Sequence, residues 1–428
     1  MKVCRRCLYT TLHPLGLVLD DQGICSGCRV HEEKDRLNWQ ERWGKLEKLV
    51  EGYRNRSGTN YDCVVPVSGA RDSFFIVHTV KKRLGLNPLL VTYNKHYNTA
   101  VGIRNLARLR TMMDCDIMTQ VVDPDRVKRI TRATFRRWGS IYWHCLAGQT
   151  AFPVQIAVKM KIPLVIWGHH QGLDQVGMFS HLDEVEMSRR HRRNHDLFRQ
   201  EAEALVNDFD FIKPSDIHPF RYPHDEEIAA VGVRGIYLGN YLRWDTKTQH
   251  EAMLDLYNYE AVSQTRTFDT YNDVDCWMYS DLHDFIKWEK WGYGRATDHA
   301  VRELRLGRLT REDATLVAEN YEATHPLHQE LFFEWIGMTK NGFRFILDQH
   351  RSHLVWRRAG NYGAWEKTEI WKRAHNIAMT NPDRLKTPRT PLKFQKRSSE
   401  PICDQEKTFI LVGKGQFLPA VTLQDVKS

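Results

Sequence analysis

Four cysteines near the N-terminus have the spacing of a metal site. Cys4 and Cys7 form one C-x2-C pair, and Cys25 and Cys28 form a second pair after 17 intervening residues. Each pair can direct two thiolates to one point, and four thiolates complete the tetrahedron that structural Zn²⁺ prefers. The spacing therefore predicts a Cys4 zinc-binding module over residues 1–35, with an iron–sulfur cluster or a redox pair as the alternatives.

The second cysteine pair also overlaps a pattern typical of glutaminases. The run from Gly23 to Gly27 reads G-x-C-x-G, the nucleophile elbow of one glutaminase class. That elbow needs a buried strand in front of it, and only 22 residues precede the run here. The other glutaminase nucleophile is an N-terminal cysteine, but position 2 is Lys2. We therefore expect no ammonia production by this chain itself.

A second chemical motif follows the first apolar segment. The run Val64-Val65-Pro66 leads into a turn with serine, glycine, arginine and aspartate, made of Val67, Ser68, Gly69, Ala70, Arg71, Asp72 and Ser73. Backbone amides in such a turn, together with the N-terminus of the following helix, suit a phosphate or pyrophosphate. Asp72 is placed to hold Mg²⁺ or to cap the helix. The Walker pattern G-x-x-x-x-G-K-[ST] is absent.

Strands and helical patterns alternate around this turn. Apolar runs at 61–67, 88–93, 117–122 and 162–167 predict strands, and helical patterns separate them. This alternation predicts an α/β fold with a doubly wound parallel sheet, whose ligands lie at the carboxyl ends of the strands. Around the sheet domain, we place boundaries by composition, which gives a linking helix at 36–58, a nucleotide-binding domain at 59–200, a mainly helical region at 201–380 and a basic, Pro-rich tail at 381–428 with one late strand at 408–412.

Composition limits the functional class. The chain has 428 residues, no apolar run long enough for a bilayer and no apolar stretch after Met1-Lys2-Val3, which predicts a cytoplasmic protein without membrane contact. The net charge of 62 − 53 = +9 favours an anionic partner. Two basic runs, at 126–137 and 189–199, could face such a partner or be ordinary solvated helix surfaces.

The motifs together resemble a known family. The Ser68-Gly-x-x-Asp-Ser73 turn is similar to the S-G-G-x-D-S loop of PP-loop (N-type, HUP-like) ATP pyrophosphatases, with Ala70 in place of the second glycine. Ala70 would cost about 1 kcal/mol if that position needed a positive φ. From the N-terminus to about residue 325 the chain looks like the N-acetyl sugar amidotransferases (WbpG-like). The resemblance rests on the cysteine pairs and on four further runs: Asp62-Cys-Val-Val-Pro-Val-Ser-Gly69, Leu89-Leu-Val-Thr92, Ile162-Pro-Leu-Val-Ile-Trp-Gly168 and Gly292-Tyr-Gly-Arg-Ala-Thr-Asp-His299.

The resemblance implies a reaction and a set of site residues. ATP with Mg²⁺ would adenylate the acetamido oxygen of an N-acetylated, nucleotide-linked sugar in LPS O-antigen biosynthesis, and ammonia would then give an acetamidino group. The implied partner is a HisH-like glutaminase that delivers ammonia through a channel, together with a HisF-like barrel. The expected catalytic residues are Asp72, Lys287, Arg295 and Asp298. Besides the turn at 67–73, the expected ATP contacts are Thr92, Tyr93 and Gly168, each at the end of a predicted strand.

Two other interpretations fit parts of the sequence. PP-loop tRNA-modifying enzymes of the thiolase or lysidine type share the loop, and some carry an N-terminal zinc site. They generally have a second zinc site near the C-terminus, but beyond Cys28 this chain has no further C-x2-C pair. Nucleic acid is therefore not the expected substrate. A non-catalytic scaffold for a glutaminase, with a decayed loop marked by Ala70, is the other alternative.

Overall fold

A five-stranded parallel sheet forms the centre of the protein. The structure is a computed structural model that describes residues 1–360, 363–375, 390, 392–395, 408–410 and 417–419. The strand order is β3-β2-β1-β4-β5, and each neighbouring pair is parallel. The strands are β1 (Cys63–Pro66), β2 (Pro88–Tyr93), β3 (Ile117–Gln120), β4 (Leu164–Trp167) and β5 (Arg234–Tyr237). The predicted fold class is confirmed.

The strand order reverses at the central strand. After β1 the chain adds β2 and β3 on one side and then returns to place β4 and β5 on the other. Val64 pairs with Leu89 of β2 and with Val165 of β4. In an open parallel sheet the crevice at such a reversal, outside the carboxyl ends of the strands, is the usual ligand site. The turn that begins at Ser68 leaves β1 at this crevice.

Helices cover both faces of the sheet. On one face, buried residues of the linking helix and of α3 pack against β1 and β2, among them Leu46, Val50 and Phe74. On the other face, Phe152 and Ile156 of α6 pack against these strands. In chain order the helices are α1 (Ser26–Glu33), α2 (Trp39–Glu51), α3 (Arg71–Val77), α4 (Ala100–Met113), α5 (Pro124–Trp138), α6 (Trp143–Lys159), α7 (Gln171–Val176), α8 (Arg189–His191), α9 (Ala202–Asp208), α10 (Pro214–Ile217), α11 (Asp225–Val231), α12 (Thr246–Tyr257), α13 (Asp284–Trp291), α14 (Arg295–Arg305), α15 (Arg311–Glu322), α16 (Gln329–Ile336), α17 (Lys340–Gln349) and α18 (Glu369–Ala374).

The sheet extends further along the chain than the sequence indicated. β5 was not predicted, and it lies beyond residue 200, inside the region expected to be mainly helical. Its residues Gly235 and Ile236 are buried beside β4. The domain boundaries themselves stay predictions, but the sheet needs residues from both sides of position 200. The helix that follows the turn begins at Arg71, and its second half, His78–Arg83, is π-helical.

The region after β5 is mostly helical, as predicted. It also contains a two-stranded antiparallel hairpin of β6 (Trp356–Arg358) and β7 (Trp365–Lys367). The predicted late strand is present as β8 (Thr408–Ile410), paired with β9 (Phe417–Pro419), while its last two positions and most of the tail at 381–428 lie outside the described residues. Among the described helices, none has the length and apolarity to cross a membrane.

Candidate active site

The turn after β1 is shaped by its own serines. The Ser68 amide donates to Ser73 Oγ at 2.8 Å, and the Ala70 amide donates to Ser68 Oγ at 3.2 Å. Gly69 is needed for space, because a Cβ there would lie 2.1 Å from the carbonyl oxygen of Gly102 in α4. The turn is therefore pressed against α4 and leads directly into α3, whose first amides have no partner within the helix.

Ala70 does not strain the turn. Its φ is −93° and its ψ is 171°, which is extended backbone that any residue adopts. The cost expected for alanine at a position with positive φ therefore does not arise. The replacement of the second family glycine by Ala70 leaves the turn's backbone conformation unstrained.

The Asp72 carboxylate lies next to the Arg71 guanidinium and the His250 imidazole. Its Oδ1 is 3.5 Å from Arg71 Nε and 3.3 Å from His250 Nε2. Burial alone would raise the pKa of Asp72, but Arg71 and the contact from His250 outweigh it and hold this pKa well below its ordinary value. Asp72 is therefore an anion at neutral pH. An ionised carboxylate beside this turn fits Mg²⁺, which prefers carboxylate and phosphate oxygens.

A large cavity opens beside this turn. Its volume is about 750 Å³, and Ser68, Ala70, Arg71 and Asp72 line one end of it. Among the other parts of the chain that line it are the N-terminal module with Tyr9 and His13, the segment after β4 with His169 and His170, and helices α13 and α14 with Lys287, Lys290, Arg295 and Asp298. The cavity thus lies at the sheet's crevice and brings together residues more than 200 positions apart.

Lys287 and Asp298 form an ion pair inside the cavity. Lys287 Nζ contacts Asp298 Oδ2, and Tyr9 Oη donates to Asp298 Oδ1 at 2.8 Å. Asp298 is therefore held from both sides, by α13 and by the N-terminal module. It is not the cap of α14, because Gly294 occupies the N-cap position.

The start of α14 is fixed by two buried carboxylates. Glu322 Oε1 accepts from the Gly294 amide at 2.5 Å, and Asp284 Oδ1 accepts from the Arg295 amide at 2.6 Å. Gly294 is required here because a Cβ would lie 2.9 Å from Asp284 Oδ1. These contacts point the Arg295 side chain into the cavity, where it pairs with Asp273. Its buried Nη1 has no hydrogen-bond partner among the described residues, so it can still donate to a ligand.

Several predicted ATP contacts lie outside the cavity wall. Val67, Gly69 and Ser73 shape the turn from behind and do not line the cavity. Tyr93 is buried against α6, with its hydroxyl 3.0 Å from His144 Nδ1, and Thr92 is also buried. Gly168 packs on Ile76, although its neighbours Trp167 and His169 do line the cavity.

The structure adds cavity residues that the sequence analysis did not identify. Lys95 follows β2 by two residues, and its Nζ is 2.7 Å from Asp275 Oδ2. Asp273, which pairs with Arg295, comes from the same short segment. Burial raises the pKa of Asp273 above its ordinary value, against the opposing effect of Arg295. The position of Lys95 at a strand's carboxyl end was a usable signal, whereas nothing local marked Asp273.

The four cysteines form a compact centre next to the cavity. Their sulfur atoms all lie within 4.8 Å of one another, and Cys7 Sγ is 3.6 Å from Cys25 Sγ. A tetrahedral zinc centre with Zn–S bonds of about 2.3 Å places its sulfurs about 3.8 Å apart, so these residues fit the ion. The Cys25 amide donates to Cys4 Sγ at 3.3 Å, and the Cys28 amide donates to Cys25 Sγ at 3.4 Å. Such N–H bonds stabilise thiolate ligands.

The fold and the turn after its central strand define the class of protein. A parallel sheet of order β3-β2-β1-β4-β5 with a Ser-Gly-x-x-Asp-Ser turn after β1 resembles the arrangement of PP-loop α/β proteins. Residues 265–374 match the family described as "LPS biosynthesis protein WbpG-like, C-terminal domain". The resemblance to WbpG-like proteins is thereby confirmed, and the matched residues include Lys287, Arg295 and Asp298.

Other similar proteins are more distant. An uncharacterized protein of Methanocaldococcus jannaschii is 25% identical over 118 residues, which are 27% of this chain and 41% of that relative. Among solved structures, an NH3-dependent NAD synthetase from Campylobacter jejuni shows 12% identity and a TM-score of 0.26, over 46% of this chain and 92% of the other. An NMN synthetase from Francisella tularensis shows 13% identity and a TM-score of 0.26, over 51% and 94%.

Proposed function

We propose that this chain is an ATP-dependent amidotransferase acting on an N-acetylated, nucleotide-linked sugar in LPS biosynthesis. ATP activates the oxygen of the acetamido group as an adenylate, with loss of pyrophosphate. Ammonia attacks the activated carbon, AMP leaves with the former acetamido oxygen, and an acetamidino group remains. The coarser part of this proposal, an ATP-using enzyme of the amidotransferase and ligase type, is supported by the PP-loop fold and the WbpG-like match.

One observation carries the proposal. The phosphate-binding turn and the polar residues of the WbpG-like segment, which are far apart in sequence, line the same cavity. A turn that only capped a helix would not need Lys287, Arg295 and Asp298 opposite it. The volume of about 750 Å³ is within the range of sites that enclose a nucleotide-sized ligand.

The residues divide into two groups by position. Ser68 and Arg71 would contact the ATP phosphates, and Asp72 would hold the Mg²⁺ that neutralises them. Lys287 and Arg295 would face the sugar or its phosphates, and Asp298 would set the orientation of Lys287. Catalysis in this arrangement is mainly positioning and charge stabilisation.

Ammonia is proposed to come from a separate glutaminase. Free ammonia is mostly protonated at neutral pH, so delivery through a water-excluding route would favour attack. A HisH-like glutaminase, together with a HisF-like barrel, remains the proposed partner. Zn²⁺ is proposed for the four-cysteine centre, where it would stabilise the fold of the N-terminal module.

The test follows the acetamido oxygen. The full chain is incubated with ATP, Mg²⁺, ammonium and N-acetylated UDP-sugars that carry a heavy-oxygen label in the acetamido group. Mass spectrometry should find the label in AMP and a sugar in which NH replaces that oxygen. Asp298→Asn should lower the rate at least tenfold, while Lys372→Met, at a partly exposed position outside the cavity wall, should not change it. Formation of ADP, or AMP without the label, would contradict the proposed reaction.

A further inference from the structure

Arg305, the last residue of α14, contacts the four-cysteine centre directly. Its Nη2 lies 3.5 Å from Cys25 Sγ and 3.9 Å from Cys7 Sγ. The guanidinium also lies over the ring of Tyr9, with Cζ 5.5 Å from the ring centroid. A single cation from the helical region therefore touches two candidate metal ligands that are about 280–300 residues away in sequence.

The other terminal nitrogen of the Arg305 guanidinium contacts the sheet domain. Arg305 Nη1 donates to the carbonyl oxygen of Asp174 at 2.6 Å and to that of Gln175 at 2.9 Å, both in α7. Gly27 makes room for it, because a Cβ at Gly27 would lie 2.4 Å from Arg305 Nη2 and 2.5 Å from the Gln175 carbonyl oxygen. One side chain thus joins the N-terminal module, α7 and α14.

The negative charge of a zinc-loaded centre gives a physical reason for a cation to lie beside the cysteines. Four thiolates and one Zn²⁺ carry a net charge of 2−, and such a charge is unfavourable beside buried groups unless a cation neutralises it. Arginine is always protonated in proteins and donates several N–H groups from one plane, which suits simultaneous contact with sulfur and carbonyl acceptors. Residues that contact metal ligands in this way typically change metal affinity by about 10- to 100-fold.

We propose that Arg305 is a positioning residue that couples metal occupancy to the placement of α14. With zinc bound, the negatively charged centre holds the C-terminal end of α14 against the N-terminal module. The same helix carries Asp298, which Tyr9 of that module also contacts. When the metal leaves, the four thiolates take up protons from solvent and become neutral thiols, so the negative charge that Arg305 neutralises is lost. The contact between Arg305 and the cysteines is then weakened, and the C-terminal end of α14 is no longer held against the N-terminal module. The inference rests on zinc occupying the centre, but it does not depend on which reaction the cavity performs.

The first test measures metal release. Full-length wild type, Arg305→Gln, Arg305→Lys and Arg308→Gln are purified, their zinc content is measured, and zinc transfer to a chromophoric chelator is followed. Arg308→Gln is the matched control, since Arg308 pairs with Asp245 and Glu303 and lies three residues from Arg305. Arg305→Gln should release zinc about 10- to 100-fold faster than wild type, Arg305→Lys should be intermediate, and Arg308→Gln should stay within about twofold.

The second test measures the coupling itself. Zinc is removed from wild type with the chelator, and backbone hydrogen exchange is compared for peptides from α14 and from α17. Exchange in α14 should rise while α17 changes little. Equal increases in both helices, or none in α14, would overturn the coupling, and unchanged release by Arg305→Gln would overturn the role of Arg305. Wild-type protein that contains no zinc would instead refute the proposed metal. The proposed reaction is tested separately, by sugar-dependent AMP formation, so its failure can be distinguished from failure of the coupling.

Discussion

Gly69 and Ala70 are adjacent residues with different structural constraints. A Cβ at Gly69 would meet the backbone of Gly102, which cannot move without shifting α4. Ala70 has ordinary extended dihedral angles and carries its methyl group without strain. Backbone strain therefore gives no reason to regard Ala70 as the mark of a decayed, non-catalytic loop.

The first prediction compares substitutions at these two positions. Gly69→Ala should destabilise the fold by about 2–3 kcal/mol, as overpacking against backbone does, and should weaken ATP binding. Ala70→Gly should change the unfolding free energy by less than about 1 kcal/mol and ATP affinity by less than about twofold. Urea unfolding and calorimetric ATP titration check both. A tenfold gain in ATP affinity for Ala70→Gly would mean that the methyl crowds a phosphate.

Lys290 gives the cavity a charge that depends on pH. It lines the cavity, its Nζ donates to the carbonyl oxygen of Trp138 at 2.7 Å, and burial lowers its pKa to about 8. Above pH 8 the side chain becomes neutral. Between about pH 8 and the ordinary lysine pKa of 10.5, the unfolded chain holds more protons at this group, so the folded state gains stability as pH rises through that window.

The second prediction uses this titration. If the substrate's phosphates face Lys290, the KM for the nucleotide-sugar should rise roughly fivefold from pH 7 to pH 9, because a cation several ångströms away contributes about 1 kcal/mol. In Lys290→Gln the KM should be higher at pH 7 and nearly constant over this range. Lys372→Gln serves as the surface control and should follow the wild type. An equal rise of KM in Lys290→Gln and wild type would assign the pH dependence to another group.

Sequence reasoning reached some site residues and missed others for identifiable reasons. Asp72 follows from its place after a strand, because parallel strands present their carboxyl ends at one edge. Lys287, Arg295 and Asp298 were expected only through the family resemblance, since no local pattern links α13 and α14 to β1. Asp273 was missed because its role depends on a partner, Arg295, that only the folded chain brings near.

At the level of elements, the hairpin of β6 and β7 supports the start of α14. Lys367 Nζ donates to the carbonyl oxygen of Gly292 at 2.7 Å. It also lies 4.1 Å from the ring centroid of Trp356, 4.3 Å from that of Trp371 and 5.3 Å from that of Trp288. Burial lowers the pKa of Lys367 to about 7, so near neutral pH about half of the protein carries the ammonium charge that the three indole faces attract. Gly292 in turn has a φ of +83° and ends α13 immediately before Gly294 and Arg295.

The third prediction removes this contact. Lys367→Met keeps most of the side-chain volume but loses the cation–π contacts and the bond to Gly292, so it should lower the unfolding free energy by about 2 kcal/mol. Because the phosphate-binding turn is untouched, kcat should fall about tenfold while the KM for ATP stays the same. Lys372→Met should change stability by less than about 0.5 kcal/mol, since its only observed ion pair, with Glu369, is exposed. A raised KM for ATP in Lys367→Met would contradict a role confined to α14.

The strands show where pattern reading succeeds. β1, β2 and β4 are apolar runs that are buried by helices on both faces, and such runs are visible in sequence. β5 begins with the exposed Arg234 and contains Gly235, so its sequence shows no comparable apolar run. Its position is set by pairing with β4, and this pairing exists only in the folded chain.

At the scale of the whole molecule, arginines of the two basic runs are paired with carboxylates, whereas a nucleic-acid-binding surface of a protein presents unpaired cations. In the first basic run, Arg129 Nη2 is 2.8 Å from Asp216 Oδ1, and Arg137 Nε is 2.8 Å from Asp208 Oδ2. In the second run, Arg189 Nε is 2.9 Å from Asp225 Oδ1. These guanidinium groups are partly neutralised by carboxylates of the same chain. Arg295, whose Nη1 can still donate to a ligand, lies inside the cavity instead.

The last prediction separates the sugar enzyme from a tRNA-modifying one. RNA affinity arises mainly from phosphates that displace counterions, so it needs unpaired surface cations and falls steeply with salt. Because Arg137 and Arg189 are paired, tRNA should bind only in the non-specific range, about 10⁻⁵ M at physiological salt. The double variant Arg137→Gln, Arg189→Gln should leave that affinity within about twofold, as fluorescence anisotropy over a salt series would show. Nanomolar tRNA binding that weakens steeply with salt would instead favour the tRNA-modifying alternative. In that case, the slope of log affinity against log salt concentration should fall by about two units in the double variant.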